Sequence, residues 1–423
     1  MPFCDVGNAD AVNNNGIKIF YRTYGSGPIK LLMIIGLAGT HDSWNPQIEG
    51  LVGTTKPNDD DRSSGDGVHN GNGIEVCAFD NRGMGLSSIP KNKSEYTTRI
   101  MAADAVSVMD HLGWKKAHVF GHSMGGMIAC KLAALFPDRV LSLALLNVTG
   151  GGYECFPKLD RQTLSIAMRF LRAKTPEQRA AVDLDTHYTQ EYLEEHIGLK
   201  TRRDILYREY VKGISATGMQ SNHGFDGQIN ACWTHKISRT ELEVIRAEGF
   251  LISVIHGRYH LILLRYDSFT PQFSLFVHLQ TINCLFSRCD VIAQISHARR
   301  LAEKLYPLAR MVELPGGHLV SHERTKEVNE ALLDLIKASE TKTSPYDWTN
   351  LLPKRSSCWT TSWSSSSRLN SEAESSNPTI IVGIAEKLRR IILYIFGIFV
   401  VAFEYIKRVL GRLKPVRVGP TLT

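Results

Sequence analysis

Short apolar runs alternate with amphipathic stretches along most of the chain, and their periods predict the secondary structure. Residues 17–24 alternate polar and apolar positions like a half-buried strand. Residues 29–35 are mostly apolar, which is typical of a strand inside a parallel sheet. Further strands are predicted at 74–79, 117–120, 140–147, 250–255 and 309–314. Helices are predicted at 98–112, from just after Ser123 to Phe136, and at 325–339. This alternation predicts an α/β fold whose mostly parallel sheet carries helices on both faces.

The pattern changes after the fifth predicted strand. Residues 153–248 are amphipathic and helical without a clear buried strand, so we expect a helical cap inserted between two parts of one core, 1–152 and 249–339. Residues 340–378 are dominated by Ser, Thr and Pro, which predicts a disordered linker. Residues 379–423 then form a hydrophobic and basic tail.

Charge is concentrated in that tail. Between Glu386 and Arg417, eight basic residues stand against two acidic ones, which accounts for +6 of the formal net charge of +7. The body is therefore nearly neutral, which argues against a nucleic-acid-binding face, whereas the tail suits an anionic membrane surface. Hydrophobic residues make up 43% of the chain, enough for a substantial core.

The eight cysteines form no C-x-x-C pair and do not cluster with histidines, which argues against a zinc site or any other bound metal. Their scatter favours reduced thiols in a reducing compartment over a disulfide framework. The N-terminal residues lack the apolar stretch of a secretory signal, so we expect the body of the protein to face the cytosol.

The tail contains an uncharged apolar run at residues 391–403, flanked on both sides by Lys and Arg. Thirteen residues are fewer than the roughly 20 that span a bilayer, but residues 379–406 together are long enough for a tilted span or an interfacial helix. The tail is therefore predicted to attach the protein to a membrane. A buried core helix is the alternative.

The segment 121–126, GHSMGG, follows a short apolar strand and precedes a helix. Glycines at 121 and 125 permit the sharp strand-to-helix turn on which a nucleophilic serine is held in a strained backbone conformation. Ser123 is therefore the candidate nucleophile. The backbone amide of Met124, at the start of the helix, is a candidate donor to an oxyanion.

With its other motifs the chain resembles the α/β-hydrolase family of esterase- and lipase-like serine hydrolases. The matching segments are GLAG at 36–39, DNRGMGLS at 80–87, GHSMGG at 121–126, FPDRV at 136–140, VIHGR at 254–258 and PGGH at 315–318. The resemblance implies the α/β-hydrolase fold, a serine mechanism without a cofactor, and a second oxyanion amide at Leu37. Ile35 stands where the family usually has a histidine.

The family order of nucleophile, acid and histidine indicates the base. His318 follows a late strand and is preceded by two glycines, which let the loop reach back over the sheet edge. His322, four residues later, is the rival candidate.

The acid is where the sequence departs from the family. His260 stands where the resemblance leads us to expect an aspartate, and the segment beginning at Asp290 resembles that aspartate and its following helix. Residues 260–289 therefore look like an insertion that splits the motif, and Asp290 is the predicted acid. Asp267, as a displaced acid, and a disabled triad are the alternatives.

The insertion is rich in Phe, Leu, Ile, Ser and Cys, the residues encoded by uracil-rich codons. We therefore hypothesise that it is a translated intron or gene-model artefact, with a genuine lid loop as the alternative. The sequence as a whole predicts a serine hydrolase acting on a small-molecule, ester-like substrate. A ligand-binding member of the fold without turnover, or a product inactivated by the insertion, are the alternatives, and the oligomeric state is not indicated.

Overall fold

The computed structural model describes residues 2–6, 16–58, 73–156, 161–217, 220–258, 290 and 292–351. The strands in these ranges are β1 Phe3–Val6, β2 Ile17–Tyr24, β3 Ile29–Ile34, β4 Ile74–Phe79, β5 Ala117–His122, β6 Val140–Leu146, β7 His196–Ile197, β8 Lys200–Thr201, β9 Ile252–Arg258 and β10 Ala309–Pro315. Eight of them form one sheet in the order β1-β2-β4-β3-β5-β6-β9-β10.

The six neighbouring strands β4, β3, β5, β6, β9 and β10 are mutually parallel. Strand β2 runs antiparallel to both of its neighbours, β4 and the edge strand β1. Crossing the sheet, Ile34 pairs with Gly121, Gly121 with Leu145, Leu145 with Val254, and Val254 with Met311. The carboxyl ends of these strands therefore meet at one edge. The predicted mostly parallel α/β sheet is confirmed.

Helices cover both faces of the sheet, as the apolar strands require. The helices are α1 Asn45–Val52, α2 Thr98–His111, α3 Met124–Leu135, α4 Arg161–Arg172, α5 Pro176–His187, α6 Gln190–Glu194, α7 Arg202–Thr217, α8 Asn222–Thr234, α9 Arg239–Glu248, α10 Ile295–Lys304, α11 Val320–Glu323, α12 Thr325–Glu340 and α13 Pro345–Asn350.

Successive residues of β3 serve opposite layers of the core. Leu32 and Ile34 pack in the cluster that includes α2, α3 and α10, whereas Leu31 and Met33 pack in the cluster that includes α1 and α12. This is the period of two that a strand imposes on its side chains. A run that is apolar at nearly every position therefore predicts a strand buried on both faces.

The region predicted as a cap contains helices α4 to α9 and the short β7–β8 hairpin. Part of it has its own apolar cluster around Leu184, Tyr188 and Leu193. In contrast, Ala231 of α8 and Ile245 of α9 belong to the main core cluster. The last two helices of this region therefore pack as part of the core.

The predicted start of the disordered linker at residue 340 is wrong. Helix α13 follows, and its Trp348 is fully buried, with Nε1 donating to the carbonyl of Ile252 at 2.9 Å and the Arg310 guanidinium 4.4 Å from the ring centroid. Burial of one large aromatic side chain outweighs the polar composition around it. The folded core therefore extends to the last described residue, Leu351.

Several predictions fall outside the described residues. They concern the remainder of the linker from 352, the insertion at 260–289 with Asp267, and the tail at 379–423. Among the helices that are described, none has the length and apolar character needed to cross a bilayer.

Candidate active site

Ser123 lies on the tight turn between β5 and α3. Its backbone has φ 54° and ψ −119°, a conformation that a residue with a side chain rarely adopts. The flanking glycines are required by close packing, because a Cβ at Gly121 would lie 2.4 Å from the Gly125 carbonyl oxygen and a Cβ at Gly125 would lie 2.0 Å from that of Ile34. The strained turn lifts the Ser123 hydroxyl off the end of the sheet.

The loop after β10 brings His318 to this hydroxyl. The Nε2 atom of His318 lies 3.0 Å from Ser123 Oγ. On the other side of the ring, Nδ1 lies 3.0 Å from Asp290 Oδ2 and 3.2 Å from Oδ1. An ionised carboxylate can only accept, so Nδ1 carries the proton and Nε2 is left to accept from the serine.

Asp290 is held as a carboxylate by several donors. The Asn147 amide donates to Oδ2 at 2.7 Å, and the backbone amides of Ile292 and Ala293 donate to Oδ1 at 2.9 and 2.8 Å. Burial alone would raise the pKa of Asp290, but the charge and hydrogen bond of His318 oppose burial most strongly, with contributions from His256 and the Ala293 amide. The pKa of Asp290 therefore lies below its ordinary value.

His322, the rival base, is engaged elsewhere. Its Nε2 lies 2.9 Å from the carbonyl oxygen of Ser43, and its Nδ1 lies 3.1 Å from the Tyr188 hydroxyl. Burial lowers the pKa of His322. Both ring nitrogens are therefore occupied, one by a core carbonyl and the other by a hydroxyl from the cap. Of the two histidines it is His318 that reaches Ser123.

Two further imidazoles surround His318. His122 Nε2 donates to the His318 backbone carbonyl at 2.9 Å, and the His187 ring from the cap stacks at 6.2 Å between centroids. Burial, reinforced by the charge of His318, lowers the pKa of both His122 and His187 to about 3. The candidate base is therefore flanked by neutral rings at physiological pH.

The two candidate oxyanion amides belong to segments that adjoin Ser123. Met124 is the first residue of α3, so its amide has no acceptor within the helix and lies at the positive end of the helix dipole. The loop after β3 approaches from the other side, because a Cβ at Gly36 would lie only 3.1 Å from Ser123 Cβ. Leu37 follows directly in this loop.

Asn147 was not singled out from the sequence. It follows β6, has a φ of 47°, and donates through Nδ2 to both Asp290 and the carbonyl oxygen of Gly317, the latter at 3.2 Å. It thereby joins the acid to the loop that carries His318. The available signal was its position, since polar residues at the carboxyl ends of parallel strands gather at one edge.

Metal ligands are not grouped in the part of the chain that the structure describes, where no cluster of three or more His, Cys, Asp or Glu side chains is suited to an ion. The five cysteines in these ranges are free thiols at positions 4, 77, 130, 155 and 232.

Comparison with known proteins identifies relatives over most of the chain. A family model for the alpha/beta hydrolase fold matches residues 30–325. RutD of Azorhizobium caulinodans, named as a candidate carbamate hydrolase, is 29% identical over 177 residues, which are 42% of this chain and 54% of that protein. Bifunctional epoxide hydrolase 2 of Sus scrofa is 29% identical over 132 residues, 31% of this chain and 20% of that protein. The chain thus spans about half or less of the length of these curated relatives.

A solved structure is similar over a longer stretch. The enol-lactonase from Burkholderia xenovorans LB400 superimposes with a TM-score of 0.53, covering 76% of this chain and 98% of its own, at 21% sequence identity. At that identity, the likeness concerns the fold.

Proposed function

The chain belongs to the alpha/beta hydrolase fold family, and from this premise we propose that it is a serine hydrolase that works through an acyl-enzyme. The observation that carries the proposal is the contact of His318 Nε2 with Ser123 Oγ at 3.0 Å, made while Nδ1 of the same ring faces Asp290. A histidine that contacts a serine hydroxyl through one ring nitrogen and a carboxylate through the other activates that hydroxyl as a nucleophile at neutral pH.

In the proposed first half-reaction, Ser123 Oγ attacks the substrate carbonyl carbon while its proton moves to His318 Nε2. The carbonyl oxygen becomes an oxyanion, and the amides of Leu37 and Met124 donate hydrogen bonds to it. The tetrahedral intermediate collapses with loss of the alcohol, which takes the proton from His318. Asp290 stays ionised throughout and stabilises the imidazolium.

In the second half-reaction, water replaces the alcohol. His318 accepts a proton from the water as its oxygen attacks the acyl carbon, and a second tetrahedral intermediate forms in the same oxyanion site. Collapse of this intermediate returns the proton to Ser123 Oγ and releases the carboxylic acid. No cofactor takes part in either half.

The proposed substrate is a small-molecule ester or a related acyl compound. Two names among the similar proteins, a carbamate hydrolase and an enol-lactonase, describe cleavage of a bond next to a carbonyl carbon. The third describes epoxide opening. A serine at the elbow, rather than a carboxylate, argues against that reaction for this chain.

Fluorophosphonate labelling of the full chain tests the mechanism, with Ser123→Ala as the control variant. We expect labelling of the wild type and none of Ser123→Ala. A version lacking residues 260–289 tests the insertion. Labelling of that version alone would mean that the insertion disables the site, and no labelling of any of the three would exclude the serine mechanism and favour a ligand-binding protein.

We further propose that the tail attaches the protein to a membrane with the body on the cytosolic side. Support comes from the apolar run at 391–403 and its basic flanks. Flotation with vesicles of phosphatidylcholine and phosphatidylserine should carry the full chain, and a version ending at residue 378 should stay at the bottom. Equal behaviour of the two versions would exclude the tail as the anchor.

A further inference from the structure

Gln228 is a fully buried amide on α8 that links the cap region to two core loops. Its Oε1 accepts the backbone N–H of Ala38 at 2.9 Å, and its Nε2 donates to the carbonyl oxygen of Arg82 at 3.0 Å. Gln220 Nε2 donates to the same Oε1 at 2.9 Å. A buried amide with its donor and acceptor both used is an ordered, directional contact.

The contact at Ala38 acts on the loop that carries the proposed oxyanion amide of Leu37. The peptide plane between residues 37 and 38 is rigid, so holding the Ala38 N–H restricts the backbone rotation of Leu37. Ala38 itself has a φ of 59°, a left-handed conformation that a non-glycine residue keeps only when its surroundings enforce it.

Core residues hold the same loop at its two ends. Asn81 Nδ2 donates to the carbonyl oxygen of Ile35 at 2.8 Å, and the backbone N–H of His41 donates to Asp80 Oδ1 at 2.8 Å. Between these two points, Gln228 supplies a side-chain hydrogen bond to the middle of the loop from a different part of the chain.

Helix α8 is packed closely enough to serve as a fixed support. A Cβ at Gly224 would lie 2.0 Å from the Gly83 carbonyl oxygen, and a Cβ at Gly227 would lie 2.4 Å from the Tyr96 ring. Arg82, the other partner of Gln228, is itself held by Asp104 through bonds of 2.7 and 2.6 Å.

We propose that Gln228 is a positioning residue that holds the Gly36–Ala38 loop so that the Leu37 amide faces the oxyanion. The proposal rests on the proposed serine mechanism, since without it there is no oxyanion to bind. It makes α8, although part of the inserted region, a component of the active site. The hydrogen bonds of Gln228 go to Ala38, Arg82 and Gln220, so its effect on the oxyanion passes through Leu37.

Two matched substitutions on α8 test this role. Gln228→Met removes all three hydrogen bonds of the Gln228 amide at similar volume. Asn230→Leu does the same for an amide that ties α8 to the carbonyl oxygens of Lys93 and Tyr96, both at 3.1 Å. The measurements are kcat and KM with p-nitrophenyl butyrate, the affinity for an aryl trifluoromethyl ketone that forms an oxyanion adduct, and the thermal unfolding midpoint.

We expect Gln228→Met to lower kcat about tenfold and to weaken binding of the trifluoromethyl ketone by a similar factor. KM should change by less than about twofold. Asn230→Leu should leave kcat and ketone affinity within about twofold of the wild type, even if its thermal unfolding midpoint falls by as much as that of Gln228→Met. Equal effects of the two substitutions on kcat, or a change confined to KM, would overturn the proposal. If the wild type shows neither turnover nor fluorophosphonate labelling, the proposed function fails, and this proposal with it.

Discussion

His318 Nδ1 lies 3.0 Å from Asp290 Oδ2, although residues 260–289 separate Asp290 from strand β9, whose carboxyl end it would otherwise follow directly. His256 Nε2, near the carboxyl end of β9, lies 3.9 Å from the same Asp290 oxygen. The acid stands in a complete set of donors from Asn147, Ile292 and Ala293 as well as from His318. This contact determines the first prediction, which separates the two candidate acids.

Asp290→Asn should lower kcat by about 10⁴-fold, because an amide no longer fixes the His318 tautomer or stabilises its charged form. Asp267→Asn, the matched change in the other candidate acid, should leave kcat within about twofold of the wild type, because Asp290 already occupies the contact with His318 Nδ1. Steady-state hydrolysis of p-nitrophenyl butyrate measures both. Loss of activity in Asp267→Asn with activity kept in Asp290→Asn would assign the acid to the insertion.

The two histidines of the loop after β10 should differ as sharply. His318→Gln is expected to lower kcat at least about 10³-fold, because it removes the proposed base, which contacts Ser123 Oγ. His322→Gln should cost less than about tenfold in kcat, because His322 bonds the Ser43 carbonyl and the Tyr188 hydroxyl and acts through packing. The reverse ranking of kcat would make His322 the base.

Asn147 should contribute through the position of Asp290. Asn147→Gly removes the hydrogen bonds to Asp290 and Gly317 while keeping a residue that tolerates the φ of 47°. We expect kcat to fall about tenfold. Asn147→Ala should lose about the same in kcat. It should be about 1 kcal/mol less stable than Asn147→Gly, because alanine at this positive φ adds backbone strain. Wild-type kcat in Asn147→Gly would show that the bond to Asp290 is dispensable.

Acid should destabilise the protein through buried neutral histidines. Burial, followed by the charge of Lys131, lowers the pKa of His235 to about 3, and its Nδ1 lies 2.9 Å from Thr98 Oγ1. The unfolded chain takes up the proton near pH 6.5, whereas the folded protein does so only near pH 3. The stability from this group is therefore fully present above about pH 6.5 and is lost as the pH falls through that window.

His235→Gln should accordingly flatten the fall of the thermal unfolding midpoint between about pH 6.5 and pH 3. The substitution leaves a polar partner for Thr98. His223→Gln, at an exposed position on α8, is the matched control and should leave the profile parallel to that of the wild type. If the unfolding midpoint of His235→Gln fell with pH as steeply as that of the wild type, His235 would be excluded as a cause of acid sensitivity.

Trp348 should be essential to stability although it lies beyond the predicted end of the core. Trp348→Ala leaves a cavity against the sheet and removes the bond to the Ile252 carbonyl, and should destabilise the protein by about 3–5 kcal/mol. Tyr346→Ala, two residues earlier at a side chain that is 68% exposed, should change stability by less than about 0.5 kcal/mol. Chemical denaturation of both variants measures the difference.

The predicted elements correspond closely to the observed ones because their signals are local. The alternation of β2, the apolar run of β3 and the glycines around Ser123 each reflect contacts that neighbouring residues make with one layer of the core. The linker boundary could not be predicted in this way. Helix α13 is ordered because its Trp348 reaches β9, almost one hundred residues earlier in the chain. The Ser and Thr residues around Trp348 carry no sign of that contact.

The sequence by itself determined the α/β architecture, the turn that carries Ser123, and the two histidines that are candidates for the base. Only the tertiary structure shows that His318 rather than His322 contacts Ser123 Oγ and that Asp290 faces the same ring. Only it shows the hydrogen bonds of Asn147 to Asp290 and of Gln228 to the Ala38 amide. The reason is geometric. Periodicity reports which face of an element is buried, whereas a hydrogen bond of 3 Å depends on how several loops meet at the end of the sheet.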